Sequence, residues 1–202
     1  MTGVLMDIVE AKRGLRVVAT ASREAASASI GTVAGADVAR NCLAAIAPRP
    51  DDVVSGYWPV GAELDPRPLL ERLAGRGFRL ALPVVQGRTL PLIFRAWRFG
   101  DPLVPGGLGI PAPPPAAQEV RPAFLLVPLL AFDRQGYRLG HGAGYYDLTL
   151  ASLRADGGRC CAVGLAYAAQ EVTSVPHADH DQPLDWIVTE RSAVRVEGAG
   201  VR

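Results

Sequence analysis

The segment covering residues 128–147, PLLAFDRQGYRLGHGAGYYD, has the residue types and spacing best suited to chemistry. Its apolar first part ends in a turn, and Arg138 then leads into glycines at alternate positions, Gly140, Gly142 and Gly144. Because glycine has no Cβ, the backbone N–H groups can approach a ligand closely. A helix that starts directly afterwards adds unpaired N–H donors and a partial positive charge. The segment therefore predicts a phosphate-binding loop, with a plain turn between strand and helix as the alternative.

Charged side chains near this loop could complete a phosphoryl-transfer site. Arg138 could neutralise a transferring phosphoryl group, or it could be a surface arginine in a hairpin. Asp147 could hold Mg²⁺ beside nucleotide oxygens, or it could be an acid favoured by the helix dipole. Lys12 is the only lysine of the chain and a compact point charge of the kind used at phosphates. The loop has the spacing of neither a dinucleotide fingerprint nor a Walker A loop.

Candidate binding residues also follow the first predicted strand. The aromatic residues there, Tyr57 and Trp58, could form a wall on which a ligand stacks. Glu63 could accept hydrogen bonds from an amino-pyrimidine edge. A core aromatic pair and a helix acid explain the same pattern equally well.

The segment PHADHDQPLD, residues 176–185, gathers histidines and acids around two prolines. His177 and His180 have a spacing that could serve zinc, but no further nitrogen or sulfur ligand is identifiable nearby. Asp181 as a second carboxylate for Mg²⁺, or a solvated loop, is the preferred interpretation.

The composition argues against several classes of protein. The chain has 202 residues and is 49% hydrophobic, but it has no apolar stretch long enough to span a bilayer. Its N-terminal segment, MTGVLMDIVEAKRGLR, lacks a signal-peptide pattern. The net charge of +1 argues against general nucleic-acid binding. The three cysteines include an adjacent pair, Cys160 and Cys161, which fits buried thiols in a reducing compartment. We therefore expect a cytoplasmic protein with neither a nucleic-acid nor a membrane partner.

Strands that alternate with helices throughout predict an α/β protein, a three-layer α/β/α sandwich with a mainly parallel central sheet. We expect a single domain over residues 1–202. Predicted helices cover residues 5–26, 36–47, 66–73 and a segment after Gly144, and predicted strands cover residues 53–57, 78–85, 92–97, 124–132, 160–167 and 185–189. On the first helix Lys12, Arg16 and Arg23 share one face. Residues 100–122, rich in Gly and Pro, are expected to form a long ordered loop rather than a linker.

These segments, in this order, resemble the 5-formyltetrahydrofolate cyclo-ligase family over nearly the whole chain. The family's patterns K-x-x-L-R, Y-x-P-x-x-x-E and F-R-x-W are similar to residues 12–16, 57–63 and 94–97. Its signature P-x-x-A-F-D…G-x-R-L-G-x-G-x-G-Y-Y-D is similar to residues 128–147, and its terminal H-D-x-x-L-D to residues 180–185. The long signature is specific, and the shorter patterns support it.

The resemblance implies an ATP- and Mg²⁺-dependent conversion of 5-formyltetrahydrofolate to 5,10-methenyltetrahydrofolate. The formyl oxygen is phosphorylated, N10 attacks, and ADP and phosphate are released. It implies Arg138 at the phosphoryl step, Mg²⁺ at Asp147 and Asp181, and a monomer or weak dimer whose partners are reduced folate and ATP. The implied ATP-binding residues are Lys12, Arg13, Gly14, Leu15, Arg16, Arg138, Leu139, Gly140, His141, Gly142, Ala143, Gly144, Tyr145 and Tyr146. The implied substrate-binding residues are Trp58, Glu63, Trp97, His141, Gly142, Ala143, Gly144 and Tyr145.

Several positions depart from the family's pattern. His141 replaces a frequent aromatic residue, Ala143 a glycine or lysine, and Leu148 an arginine. Ala123 and Ala112 stand where acids are frequent. None of these changes removes a residue assigned to the phosphoryl step. They leave two alternatives open, a catalytically silent folate- or nucleotide-binding paralogue and a different ATP-dependent ligase on the same scaffold.

Overall fold

The computed structural model describes residues 2–155 and 157–197 and is built around a seven-stranded sheet. In chain order the strands are β1 (Val53–Ser55), β2 (Arg79–Val84), β3 (Ile93–Trp97), β4 (Val104–Pro105), β5 (Pro111–Ala112), β6 (Phe124–Pro128), β7 (Ala131–Phe132), β8 (Arg138–Leu139), β9 (Cys161–Leu165), β10 (Trp186–Val188) and β11 (Ala193–Arg195). The large sheet has the order β11-β10-β9-β6-β1-β2-β3. Its inner strands are parallel, and β3 and β11 pair antiparallel at the edges. The predicted, mainly parallel sheet is confirmed.

Helices cover both faces of this sheet. They are α1 (Thr2–Ala45), α2 (Arg67–Gly75) and α3 (Tyr145–Ala155). Leu126 of β6 belongs to a core cluster with side chains of α1 and α2. Its neighbours Leu125 and Val127 belong to a second cluster with Leu150 and Leu153 of α3. Since successive residues of one strand face different helices, the predicted three-layer α/β/α sandwich is confirmed.

The N-terminal region corrects the prediction of two helices over residues 5–26 and 36–47, because α1 is one continuous helix. The intervening Ser- and Gly-rich sequence has weak helix propensity. Its glycines serve packing instead. A Cβ at Gly35 would lie 2.7 Å from the Asp65 carbonyl oxygen, and one at Gly31 would lie 3.4 Å from the Tyr167 hydroxyl oxygen. Tertiary contact therefore overrides local propensity at this point.

The segment predicted as one strand over residues 124–132 is instead two strands in different sheets. β6 ends at Pro128, whose nitrogen has no hydrogen to donate, and β7 pairs antiparallel with β8 in a separate hairpin. The carbonyl groups of Leu129 and Leu130 accept hydrogen bonds of 2.8 and 3.0 Å from the buried Gln170 side chain. This break carries the chain out of the sheet and leads to Arg138 on β8.

The predicted ordered loop over residues 100–122 contains the hairpin β4–β5 and a 3-10 turn at Gly107–Gly109. Its strand β5 contacts β2, so the loop is part of the packed fold. Strands do not alternate with helices throughout, contrary to expectation. An antiparallel hairpin joins β2 to β3, and only a 3-10 turn, Ala168–Gln170, lies between β9 and β10. Within residues 2–155 and 157–197, no helix combines the length and apolar character needed to cross a bilayer.

Candidate active site

A cavity of about 610 Å³ lies at the carboxyl ends of β1, β2 and β6. Tyr57 follows β1, Val85 follows β2 and Pro128 ends β6, and all three line this cavity. Parallel α/β sheets commonly bind ligands at this edge, and small-molecule sites typically have volumes of about 300–1,000 Å³. The cavity has two chemically different sides, which we name the basic wall and the apolar wall.

The basic wall comprises Lys12 and Arg16 of α1, Arg138 of β8 and the glycine loop, residues 140–144. Arg16 Nε donates a hydrogen bond of 3.0 Å to the Gly140 carbonyl oxygen. Lys12 Nζ donates one of 2.6 Å to Asp181 Oδ2. About two turns beyond Arg16 along α1, Arg23 forms an ion pair with Glu63, another residue of the cavity. The predicted common face of Lys12, Arg16 and Arg23 is confirmed.

The glycine loop has a backbone that a residue with a Cβ could not easily adopt. Gly142 and Gly144 have φ of +103° and +70°. Gly144 directly precedes α3, and its carbonyl oxygen accepts a hydrogen bond of 3.0 Å from the Leu148 N–H. The first N–H groups of a helix have no acceptor within the helix. The loop and the helix start are therefore candidates for contact with an anion.

Arg138 is fixed in place at the cavity by its neighbours. Its side chain is only 5% exposed, which excludes the surface-arginine alternative. Its Nη2 donates a hydrogen bond of 2.7 Å to Asp147 Oδ1, and its Nη1 donates one to the Gln182 carbonyl oxygen. Burial lowers the pKa of the Arg138 guanidinium, an effect that Asp147 opposes and Arg154 reinforces. Since arginine stays protonated even so, the site holds a preoriented positive charge.

Asp181 is the acidic partner of Lys12. Its Oδ2 also accepts a hydrogen bond of 2.7 Å from the Ala178 N–H. Burial raises the pKa of the Asp181 carboxyl, but the hydrogen bonds from Lys12 and Ala178 and the charges of Lys12 and His180 outweigh it. The pKa therefore lies below its usual value. The ion pair thus fixes the ammonium group of Lys12 at the cavity.

Glu63 is held at the cavity from three directions. Its Oε2 accepts a hydrogen bond of 2.9 Å from the Val60 N–H. Its Oε1 lies 3.8 Å from Arg23 Nη1 and 3.7 Å from His141 Nε2. A carboxylate in this position can accept hydrogen bonds from a ligand in the cavity.

Two tyrosines that line the cavity stay neutral beside this carboxylate. Burial raises the pKa of the Tyr57 and Tyr146 phenols, and the charge of Glu63 raises both further. The Tyr57 hydroxyl donates a hydrogen bond of 2.6 Å to the Leu64 carbonyl oxygen. The negative charge on this side of the cavity is therefore that of Glu63.

The apolar wall comprises Pro83, Val85, Leu92, Leu108, Ile110 and Ala112. Leu108 lies at the tip of the β4–β5 hairpin, with φ of +58° and 70% exposure. This conformation costs a non-glycine residue about 1–3 kcal/mol and persists where its surroundings enforce it. The hairpin tip sits closely on the end of β2, because a Cβ at Gly107 would lie 2.8 Å from Val85 Cβ. None of these residues was predicted; the Gly- and Pro-rich composition indicated a functional loop without indicating which residues face the ligand.

The structure brings most predicted site residues together. Those that line the cavity are Lys12, Arg16, Trp58, Glu63, Arg138, Leu139, Gly140, His141, Gly142, Ala143, Gly144, Tyr145, Tyr146, Asp147 and Asp181. The residues placed away from it are Arg13, Gly14, Leu15 and Trp97. Arg13 is exposed and lies 3.4 Å from Glu10. Trp97 is buried, and its ring meets that of Trp58 edge-on with centroids 6.3 Å apart.

The two aspartates fit a Mg²⁺ ion that arrives with phosphate groups better than a resident metal centre. Asp147 Oδ1 is engaged by Arg138, and Asp181 Oδ2 is engaged by Lys12. Mg²⁺ commonly takes one or two carboxylates and completes its octahedron with phosphate oxygens and water. In the part of the chain that the structure describes, no group of three or more His, Cys, Asp or Glu side chains could hold a metal ion.

The parallel sheet, the cavity at its carboxyl edge and the glycine loop before α3 together define an α/β enzyme of small-molecule chemistry. The sequence model of the 5-formyltetrahydrofolate cyclo-ligase family matches residues 8–190. The chain belongs to this family.

Individual relatives agree with this assignment. The chain is 34% identical over 149 residues to the 5-formyltetrahydrofolate cyclo-ligase of Mycolicibacterium smegmatis, covering 70% of this chain and 75% of that protein. It is 36% identical over 141 residues to the Escherichia coli enzyme of the same name, covering 67% and 76%. The structure of Aquifex aeolicus 5,10-methenyltetrahydrofolate synthetase superposes with a TM-score of 0.72 at 28% identity, covering 93% and 94%. The predicted family and enzyme class are confirmed.

Proposed function

We propose that the protein converts 5-formyltetrahydrofolate to 5,10-methenyltetrahydrofolate with MgATP, releasing ADP and phosphate. The observation that carries this proposal is one cavity with a basic wall and glycine loop on one side and an apolar wall beside Glu63 on the other. The names of the relatives from M. smegmatis and E. coli support the reaction.

The basic wall suits the phosphates of ATP. Lys12 and Arg16 supply positive charge, and the N–H groups of the glycine loop and of the start of α3 supply donors. Mg²⁺ held beside Asp147 and Asp181 would offset phosphate charge. Phosphoryl transfer depends on positioning and charge neutralisation more than on a strong base, and this wall offers both.

Arg138 is the residue we assign to the phosphoryl step. Its contacts with Asp147 and Gln182 fix its guanidinium before any ligand binds, so little reorganisation is needed during the reaction. The formyl oxygen attacks the γ-phosphate and ADP leaves. The N10 amine then attacks the activated formyl carbon and loses its proton to water, and phosphate departs with the former formyl oxygen.

The apolar wall and Glu63 suit the folate. Leu92 and Leu108 offer apolar surface for its ring system, and Trp58 offers an aromatic edge. Glu63 can accept hydrogen bonds from the amino-pyrimidine edge, because its carboxylate lines the same cavity.

We further propose that residues 1–202 act as one domain in the cytoplasm, as a monomer or weak dimer. The single large sheet takes strands from β1 to β11, and α1 contacts α2, β10 and β11. The three cysteines are free thiols. Burial raises the pKa of Cys42 and of Cys161 to about 12, so both stay protonated and unreactive, as suits a reducing compartment.

The activity assay follows the absorbance of the methenyl product after protein, MgATP and 5-formyltetrahydrofolate are mixed. We expect absorbance growth that requires ATP and Mg²⁺, with product and phosphate formed in equal amounts. Two other outcomes matter because Ala112, His141, Ala143 and Leu148, which depart from the family's pattern, all line the cavity. Folate binding without turnover would establish the silent paralogue. Turnover of another acceptor, with formyl folate inert, would establish a different ligase.

A further inference from the structure

Arg23 is a buried charge that the reaction described above does not use. The residue is only 5% exposed and does not line the active-site cavity. Its Nε and Nη1 atoms have no hydrogen-bond partner within residues 2–155 and 157–197. Burying a guanidinium with unpaired donors is unfavourable unless a nearby opposite charge compensates.

The compensating charge is Glu63. Arg23 Nη1 lies 3.8 Å from Glu63 Oε1, and the Glu63 side chain is 9% exposed. Among the described residues, the other basic group within 4.0 Å of this carboxylate is His141, which is largely exposed and charged only when protonated. Arg23 is therefore the permanent positive charge beside Glu63.

Glu63 needs a positioning contact because it borders two spaces. Besides the active-site cavity, it lines a second cavity of about 370 Å³ together with Ser27, Asp65 and Tyr167. The Val60 N–H fixes Oε2, which leaves Oε1 to be oriented by its charged neighbours. In a site of low dielectric, a fixed charge orients a carboxylate more strongly than it would in water.

We propose that Arg23 is a positioning residue for folate binding, holding the Glu63 carboxylate directed into the active-site cavity. This inference rests on the proposed assignment of Glu63 to the folate. It gives α1 a role in binding both ligands, because the same helix face carries Lys12 and Arg16 to the phosphate side and Arg23 to the folate side.

The test compares steady-state constants for both ligands in a set of variants. Arg23→Met removes the charge but keeps an apolar stem, Arg23→Lys keeps the charge, and Glu63→Gln removes the proposed folate contact. Arg40→Gln is the matched control, since Arg40 lies exposed on the same helix and forms an ion pair with Asp37, a neighbour on that helix. Thermal unfolding of each variant establishes that it is folded at the assay temperature.

We expect Arg23→Met to raise the KM for 5-formyltetrahydrofolate about ten- to a hundredfold while the KM for ATP stays unchanged. Arg23→Lys should recover most of this loss, and Arg40→Gln should behave as wild type. In the double variant Arg23→Met/Glu63→Gln, the effect should be no larger than that of Glu63→Gln alone, because Arg23 acts through Glu63. The double variant removes both charges and so remains measurable if Arg23→Met alone is unstable.

Results that contradict these expectations distinguish an error in the role of Arg23 from an error in the role of Glu63. Additive effects in the double variant, equal losses for both ligands, or an Arg23→Lys variant as impaired as Arg23→Met would overturn the positioning role alone. An unchanged folate KM in Glu63→Gln would overturn the folate assignment of Glu63 and this inference with it.

Discussion

The two walls of the cavity are built in opposite ways. On the basic wall each charge is fixed by a partner, Lys12 by Asp181, Arg138 by Asp147 and Arg16 by the Gly140 carbonyl oxygen. On the apolar wall no charged side chain is present, and its most exposed residue, Leu108, is held in a strained backbone conformation. The basic wall is therefore preorganised to stabilise charge, and the apolar wall is shaped to bury apolar surface of a ligand. Substitutions on the basic wall should therefore change the rate of the chemical step or the binding of ATP. Substitutions on the apolar wall should change the binding of the folate.

Arg138→Ala tests the basic wall with the largest expected effect. We expect kcat to fall about a thousandfold with only a modest change in the folate KM, because the guanidinium acts on charge that develops in the transition state. Single-turnover kinetics under saturating ligands would measure this. Arg138→Lys keeps a charge without the planar fork and should recover only part of the rate. An unchanged kcat in Arg138→Ala would exclude Arg138 from the phosphoryl step.

Gly142→Ala tests whether the glycine loop itself binds phosphate. Its φ of +103° disfavours a residue with a Cβ, so the loop must distort at a cost of about 1–3 kcal/mol. We expect a KM for ATP raised about tenfold or more, corresponding to the lower part of that range. Gly75→Ala is the matched control, since a Cβ there would meet nothing within 4 Å. An equal KM for ATP in Gly142→Ala and Gly75→Ala would contradict a phosphate-binding role for the glycine loop.

Leu108→Ala tests the apolar wall. The lost side chain should weaken folate binding about fivefold or more, because removing methyl and methylene groups from a hydrophobic contact costs about 1–3 kcal/mol. The KM for ATP should not change. Leu90→Ala is the matched control, as Leu90 is also exposed but does not line the cavity. A selective rise of the ATP KM would show that this wall faces the nucleotide.

The Lys12–Asp181 pair should give a small, pH-dependent contribution to stability. The pKa of Asp181 is below its usual value in the folded protein, so the pair stabilises the fold above about pH 4 and loses its effect as pH falls through the folded pKa. Urea unfolding of wild type and Lys12→Met should show a difference of about 1 kcal/mol or less near neutral pH. This difference should shrink on acidification. A difference that grows below about pH 4 would contradict the sign of the shift.

The basic wall and the apolar wall also differ in how much of each could be predicted from the sequence. The glycine loop and the shared face of Lys12 and Arg16 were predictable, because both follow from spacing within one element. The ion pair between Lys12 and Asp181 joins residues 169 positions apart, and the motifs suggested Mg²⁺ for Asp181 instead of this partner. Pairings of this kind depend on how the helices lie on the sheet, which periodicity does not specify.

The other differences between the predicted and the observed structure also arise from contacts between segments far apart in the sequence. The Gly- and Ser-rich middle of α1 has weak propensity, yet it stays helical because Gly35 must pass close to the Asp65 backbone. The apolar wall depends on how a Gly- and Pro-rich hairpin folds back on β2, so Leu108 and Val85 meet only in three dimensions. Local sequence patterns predicted the three layers of the fold and the glycine loop. Close contacts between distant segments determined the continuous helix α1, the apolar wall and the Lys12–Asp181 pair.

Equilibrium binding to two variants tests the division between the walls most directly. The dissociation constants of a non-hydrolysable ATP analogue and of 5-formyltetrahydrofolate would be measured separately for Lys12→Ala and Leu108→Ala. We expect a crossed result, in which Lys12→Ala weakens only the binding of the nucleotide and Leu108→Ala weakens only the binding of the folate. Weaker binding of the same ligand in both variants would contradict the assignment of the basic wall to the nucleotide and of the apolar wall to the folate.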